Sequence, residues 1–196
     1  MAHVIVNASV SLDGFIAQQN DDPGAIFDWY ENGPVAIAAG DPERVFHVSQ
    51  ASADYMRRTW PRIGAAIIGR RLFDITDGWK GRPANGDHVF VVTHEAPADW
   101  PYPDAPFTFV TDGLESAVRQ ARALAGGRDV SLTAGNLAGQ ALRLGLVDGI
   151  AMDLAPVILG SGVRFFGDFD GAGLLLEQTE NVPGDRVTHL AFRVLR

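Results

Sequence analysis

Leu146-Val-Asp-Gly-Ile-Ala-Met-Asp-Leu-Ala-Pro-Val-Ile-Leu-Gly-Ser-Gly-Val-Arg-Phe-Phe-Gly167 is the stretch whose reading decides the fold. Ile150, Met152 and Leu154 alternate with smaller or polar residues, which predicts a strand over 148–155. Pro156 has no N–H to give a ladder and ends it. A loop carrying Gly160-Ser161-Gly162 then runs to the aromatic pair Phe165-Phe166. The glycines superficially suggest a dinucleotide fingerprint, but four residues separate Gly162 from Gly167 and no helical pattern follows. Asp153 interrupts the apolar strand and so becomes a candidate pocket residue. An outward-facing or arginine-paired carboxylate is the alternative.

The rest of the chain alternates strands and helices around this stretch. Residues 3–10 read as a buried strand through Val4, Ile5, Val6 and Val10, followed by the turn pair Asp13-Gly14. From Asn20 to Pro42 the chain is rich in Asp, Gly and Pro around Phe27-Asp-Trp-Tyr30, and it reads as a mobile, partly helical excursion. Ser49 is placed to cap a helix that runs to about Trp60 and is stopped by Pro61. Gly64–Gly69, His88–Thr93, Phe107–Val110 and Asp129–Thr133 read as strands. Helices are predicted through Leu72 and Phe73, over 113–125 closed by Gly126-Gly127, and over Leu137–Leu146. The proline-rich segment from Glu95 to Pro106 is loop. Leu174–Leu176 and the alternating Leu190, Phe192, Val194 predict a terminal antiparallel pair. The expected fold class is α/β: three layers, a mixed, mostly parallel central sheet with helices on both faces, and a C-terminal antiparallel hairpin. A single domain over 1–196 is expected, since no repeat or linker divides the chain.

Composition narrows the chemistry. A net charge of −8 argues against a nucleic-acid partner, because phosphate backbones need clustered Lys and Arg. The absence of cysteine excludes disulfides, thiolate nucleophiles and cysteine-bound metals. His3, His47, His88, His94 and His189 are scattered without ligand spacing, so no metal site is expected. The start Met1-Ala-His-Val-Ile-Val lacks a basic leader, and no apolar run approaches the ~18–20 residues of a membrane span. The expectation is a soluble, cytoplasmic protein with no membrane partner. No Gly-x-Ser-x-Gly elbow or Walker A pattern occurs.

Two strand-to-helix junctions can take an anion. Gly69-Arg70-Arg71 places two guanidinium groups at free backbone N–H groups and the positive end of a helix dipole. Thr133-Ala134-Gly135-Asn136, leading into Leu137, is the second, with small residues that permit close approach to a pyrophosphate. For each, an ordinary helix start is the competing reading.

Ser11-Leu-Asp-Gly-Phe-Ile-Ala17, Gly69-Arg-Arg71 and the quoted final stretch occur in one order, and together they resemble the dihydrofolate-reductase-like family. The branch they resemble is the stand-alone relatives of the C-terminal reductase domain of bifunctional riboflavin-biosynthesis proteins. The resemblance implies a small-molecule reductase that uses NADPH, and a homodimer. It implies that Arg70, then Arg71, grips the 2′-phosphate, that Thr93-His94 meets the adenosine half, and that Ala134-Gly135-Asn136 holds the pyrophosphate. Ala8 and Ile16 would contact the nicotinamide. Phe15, Ser161, Gly162 and Arg164 would border the substrate with Asp153. Asp54 and Asp13 are the candidate catalytic residues, Asp54 standing roughly where true dihydrofolate reductases keep their pteridine-binding acid. Arg57 and Arg58 offer Asp54 helical ion pairs instead. Two departures stand out: Ala134 replaces the first of a usual glycine pair, and Phe15 stands where riboflavin enzymes commonly have lysine. The implied substrate is a riboflavin-pathway pyrimidine. A dihydrofolate or pterin reductase is the enzyme alternative, and a nucleotide-binding protein without catalysis the non-enzyme one.

Overall fold

Alternate valines send one face of the first strand into the core: Val4, Val6 and Val10 of β1 (Val4–Ser11) are buried. The opposite face presents Asn7, Ser9 and Ser11, and Ser9 and Ser11 are buried too. The structure, a computed structural model, describes residues 2–195. The strands that follow are β2 (Phe15–Ala17), β3 (Val35–Ala38), β4 (Val45–Val48), β5 (Ile63–Gly69), β6 (Val89–Val92) and β7 (Phe107–Val110). After them come β8 (Asp129–Thr133), β9 (Gly149–Ala155), β10 (Val163–Arg164), β11 (Leu176–Pro183) and β12 (Thr188–Val194). The α-helices are α1 (Gln50–Thr59), α2 (Arg70–Ile75), α3 (Leu114–Leu124) and α4 (Asn136–Arg143). Ser49 caps α1 as expected, its hydroxyl accepting the Ser52 N–H at 3.3 Å.

Eight strands form the main sheet in the order β11-β12-β9-β1-β8-β5-β6-β7. The pairs among β1 and β5–β9 are parallel, whereas β12 runs antiparallel to β9 and β11 to β12. This is the mixed, mostly parallel three-layer sheet with a C-terminal hairpin that the sequence predicts.

On one face, α3 and α4 pack on Val4, Val6, Ala65, Ile67, Val130 and Leu132 in the largest core. The other face carries two smaller cores. Ala53, Tyr55 and Met56 of α1 pack with Trp29, Val48 and Val187, while Phe73 of α2 packs with Ala66, Ile68, Val89 and Val91. Between those two cores lies a polar strip, where Asn7 Nδ2 donates to Ser131 Oγ at 2.8 Å and Asn85 Nδ2 to the same oxygen at 3.3 Å.

Two expectations need correction. The excursion from Asn20 to Pro42 does hold a helical turn, of 3-10 type over Gly24–Tyr30, but it also holds β3, which pairs antiparallel with β4. Val35 and Ile37 point one way between Gly33-Pro34 and Gly40, and those breakers obscure the alternation. The outer arm of the hairpin is the polar stretch Leu176–Pro183, and Leu174 and Leu175 precede it, exposed. An edge strand is held by its ladder to β12, so it needs no apolar face.

Candidate active site

Because β1 and β5–β9 are parallel, the loops after their C-terminal ends gather along one edge of the sheet, where ligands of open α/β sheets bind. Asp13 organises part of that edge. Its carboxylate accepts the Ser11 hydroxyl (2.6 Å), the Leu159 N–H (3.1 Å) and the Gly160 N–H (2.7 Å), clamping the loop after β1 to the loop after β9. The same loops pair as β2 and β10, and Phe165 N–H donates to the Gly14 carbonyl at 2.9 Å. Gly162 (φ +154°) is required at this crossing, since a Cβ there would collide with the Ala17 carbonyl oxygen.

The Ser11 hydroxyl, and after it the amides of Gly160 and Leu159, holds the Asp13 carboxyl below the ordinary carboxylate range. A folded value below the unfolded one means that the clamp contributes fully above about pH 4 and is lost as pH falls through the folded value. Asp13, a candidate catalytic residue from the sequence, therefore acts in this structure as an ionised loop clamp. Asp13→Ala should speed amide exchange at Leu159 and Gly160 at least ~10-fold at neutral pH. Unchanged protection at both amides would contradict the clamp.

At the first junction, Arg70 Nε donates to Asp74 at 2.7 Å and its NH1 donates to the Glu95 carbonyl at 2.8 Å. Thr93 Oγ1 donates to that carbonyl too, at 2.8 Å, so Arg70 and Thr93 converge on one turn, with His94 exposed between Thr93 and Glu95. Arg71 pairs with Asp21 at 2.8 Å. At the second junction, no side chain caps α4, and Gly135 holds φ +91°, a conformation that favours glycine. Ala134 has a negative φ, so alanine in place of the usual glycine costs no strain there. A Cβ on Gly69 would stand 3.4 Å from Leu137, which brings the two junctions side by side. Asn136 begins α4, and Ile16 lies 3.8 Å from where a Gly135 Cβ would be. Ala8 lies in β1 opposite Met152, packed on the α3–α4 core.

The polar face of the sheet carries a second group of residues. Ser9 and Asp153 are register partners on β1 and β9, and Asp153 and His189 are partners on β9 and β12. His189 is fully buried, with Nδ1 2.6 Å from Asp153 Oδ1 and Nε2 2.9 Å from Ser52 Oγ. Tyr55 stacks on its imidazole at 4.3 Å, and Trp29 meets the ring edge-on at 5.2 Å. Trp29 Nε1 donates to Ser9 at 3.1 Å, and Tyr30 stacks on Trp29 at 3.9 Å. Burial, and then the charge of Asp153, pushes the Tyr30 and Tyr55 phenols up, so both stay neutral hydrogen-bond donors.

Asp54 is not among these residues. A catalytic role requires an inward carboxylate, but Asp54 is 61% exposed and accepts Gln50 Nε2 (2.7 Å) and Arg57 NH1 (3.2 Å) along the outer face of α1. The inward positions of α1 are Ser52, Ala53, Tyr55 and Met56. Ser161 and Arg164 are exposed on the loop after β9, and Arg164 is the register partner of Phe15. His189, Ser52, Ser9, Tyr30 and Tyr55 were not expected at the site from the sequence. The alternation Asn7-x-Ser9-x-Ser11 was the available signal, a polar face on a strand whose other face is apolar.

The sheet order, the antiparallel hairpin and the loops gathered at one edge define a dihydrofolate-reductase-like α/β protein. Residues 2–188 match the RibD C-terminal domain, and the chain belongs to that family. The fold is similar to that of a candidate riboflavin biosynthesis protein of Shewanella sp. PV-4, with TM-score 0.71, 22% identity and 100% of both chains covered. It is also similar to a Thermotoga maritima diaminohydroxyphosphoribosylaminopyrimidine deaminase/5-amino-6-(5-phosphoribosylamino)uracil reductase, with TM-score 0.63 and 16% identity. That match takes in 99% of this chain and 57% of the Thermotoga chain. Dihydrofolate reductase of Enterococcus faecalis, complexed with NADP(H), matches with TM-score 0.59 and 14% identity over 99% of this chain and 97% of that one. No curated protein sequence matches. Among the described residues no helix is long and apolar enough to cross a membrane, and no cluster of His, Cys, Asp and Glu could hold a metal.

Proposed function

We propose that the protein is an NADPH-dependent reductase acting on a C=N or C=O bond of a small heterocycle, most directly a 5-amino-6-(5-phosphoribosylamino)uracil reductase-like activity. The observation that carries this reading is the pair of adjacent junctions, Gly69-Arg70 and Gly135-Asn136, at the shared strand edge of a RibD C-terminal domain. The residues present fit a dinucleotide. The uncapped first turn of α4 offers N–H groups to a pyrophosphate, and Ala134 and Gly135 add little bulk above them. Arg70 and Arg71 would hold a 2′-phosphate, with Thr93 and His94 beside the adenosine half. When bound, NADPH supplies the hydride. Ala8 and Ile16 would pack against the nicotinamide, and the loops joined by Asp13 would exclude water.

Phe15 stands where riboflavin enzymes commonly have lysine, and Arg164, its register partner, would offer a guanidinium to a substrate phosphate instead. The outward orientation of Asp54 counts against the dihydrofolate or pterin reading. The unstrained Ala134 removes one ground for a cofactor cleft that has lost catalysis. The test is NADPH consumption with the phosphoribosylaminouracil as substrate, one NADPH per pyrimidine reduced. Tight NADPH binding without consumption of this or a pterin substrate would favour the non-enzymatic reading.

A further inference from the structure

The β3–β4 hairpin is anchored at one end and loosely held at the other. Val35, Ile37, Phe46 and Val48 form its inner face and pack with Trp29 and Met56 in the α1 core. Beyond them, none of the tip residues 39–44 is buried as a whole. The hairpin joins no larger sheet, and two strands alone give little stability in water. Its tip crosses to the segment after α2, where a Cβ on Gly40 would stand 2.9 Å from the Pro83 carbonyl oxygen. Asn85, close behind Pro83, reaches Ser131 in the polar strip. The hairpin therefore bridges the two cores of this face above the strip that separates them.

The far side of the bridge is rigid. Asp77 to Gly81 hold consecutive positive φ values of +45° to +78°, a left-handed turn that residues other than glycine resist. Gly78 fixes this turn against Phe73 and Trp100, since a Cβ there would come within 2.6 Å of the Phe73 ring. The turn ends by presenting Arg82, whose N–H donates to the Trp79 carbonyl at 3.1 Å. Arg82 NH1 then donates to Asp41 at 3.1 Å and to Glu43 at 2.6 Å. These pairs hold the tip, yet the Arg82 and Glu43 side chains are 55% and 79% exposed. Ion pairs so placed are weak and are screened by salt.

A groove of about 400 Å³ runs along the same seam, between residues 40–43 and 81–83, so no packed interface backs the pairs. Closure also leaves Arg44 NH1 buried without a hydrogen-bond partner, a cost that lifting the tip removes. A hairpin that served as fixed cover would seat an apolar residue at its tip. This one is met there by an exposed cation on a strained turn.

We propose that the β3–β4 hairpin is a strap whose tip lifts from Arg82, its latch, to open the strip of Asn7, Ser131 and Asn85 to solvent and small solutes. The strap needs no nucleotide and stands whether or not the reductase reading holds.

Hydrogen exchange at single groups tests it. Arg82→Gln should speed exchange several-fold at the Ala39 and Arg44 amides, which close the tip, and at the side-chain amides of Asn7 and Asn85. The Trp29 indole N–H, which donates to Ser9 in the core under the hairpin base, should not change. Raising the salt concentration should act on the wild type in the same way and have almost no effect on Arg82→Gln. The chain has no cysteine of its own, so Asp41→Cys combined with Arg82→Cys gives a second arm. Tethering that pair with a bis-maleimide should slow exchange at Asn7 and Asn85 below the wild-type rate. Capping the same two thiols with N-ethylmaleimide should speed it. Equal exchange at both asparagines in the tethered and capped proteins overturns the strap. So does a Trp29 indole rate that rises in step with them, because the hairpin base would then be opening as well.

Discussion

Arg70→Glu should weaken NADPH binding at least ~10-fold and leave NADH within about threefold, abolishing the preference between them. The Arg70 guanidinium is held through Nε by Asp74 and through NH1 by the Glu95 carbonyl, so it would meet a phosphate already oriented. A hydrogen bond to a charged partner contributes roughly 1.5–3 kcal/mol. At about 1.4 kcal/mol per decade that is ~10- to 100-fold in affinity, and an acidic side chain adds repulsion. The substitution sits at an exposed helix start, where a like-charge pair with Asp74 costs only some tenths of a kcal/mol, so the fold should survive. A comparison of dissociation constants by nicotinamide fluorescence checks it. An unchanged preference for NADPH would sink the phosphate-clamp assignment.

His189→Leu should be among the most destabilising single substitutions in the chain. It removes a fully buried ring that partners Asp153 and Ser52 and touches Tyr55 and Trp29. Leucine fills most of the volume but leaves the carboxylate and the hydroxyl without their partner. Leaving a half-buried carboxylate and a buried hydroxyl without their partner costs roughly 1–3 kcal/mol each, about 2–6 kcal/mol together. For a chain of this size that is a fall in melting temperature of roughly 4–24 °C. Asp153→Leu added to it should recover part of the loss, because the stranded carboxylate is then gone. A melting temperature for His189→Leu within ~2 °C of the wild type would show that the pair contributes little.

Most of the fold could be read from the residues because its central strands alternate or run apolar between clear breakers. The apolar face of β1, the strand ended by Pro156 and the Ser49 cap are all local signals. β3 and β11 were harder. The first is four residues long and lies between Pro34 and Gly40, and the second is a polar edge whose stability comes from its ladder with β12.

The site divides the same way. The two strand-to-helix junctions are contiguous motifs, so each can be read directly from neighbouring residues. The His189 cluster joins residues 36 and 137 positions apart, one on each of three elements, and no spacing rule connects them. Asp54 shows what helical phase adds: with Ser52, Ala53, Tyr55 and Met56 directed inward, Asp54 falls on the opposite side of α1 and turns to solvent beside Arg57.

A titration of the purified protein with NADPH and with NADH decides whether these junctions hold a phosphorylated pyridine nucleotide. Tight binding of NADPH with a clear preference over NADH is expected. Binding of neither nucleotide would leave the fold intact and contradict the reductase.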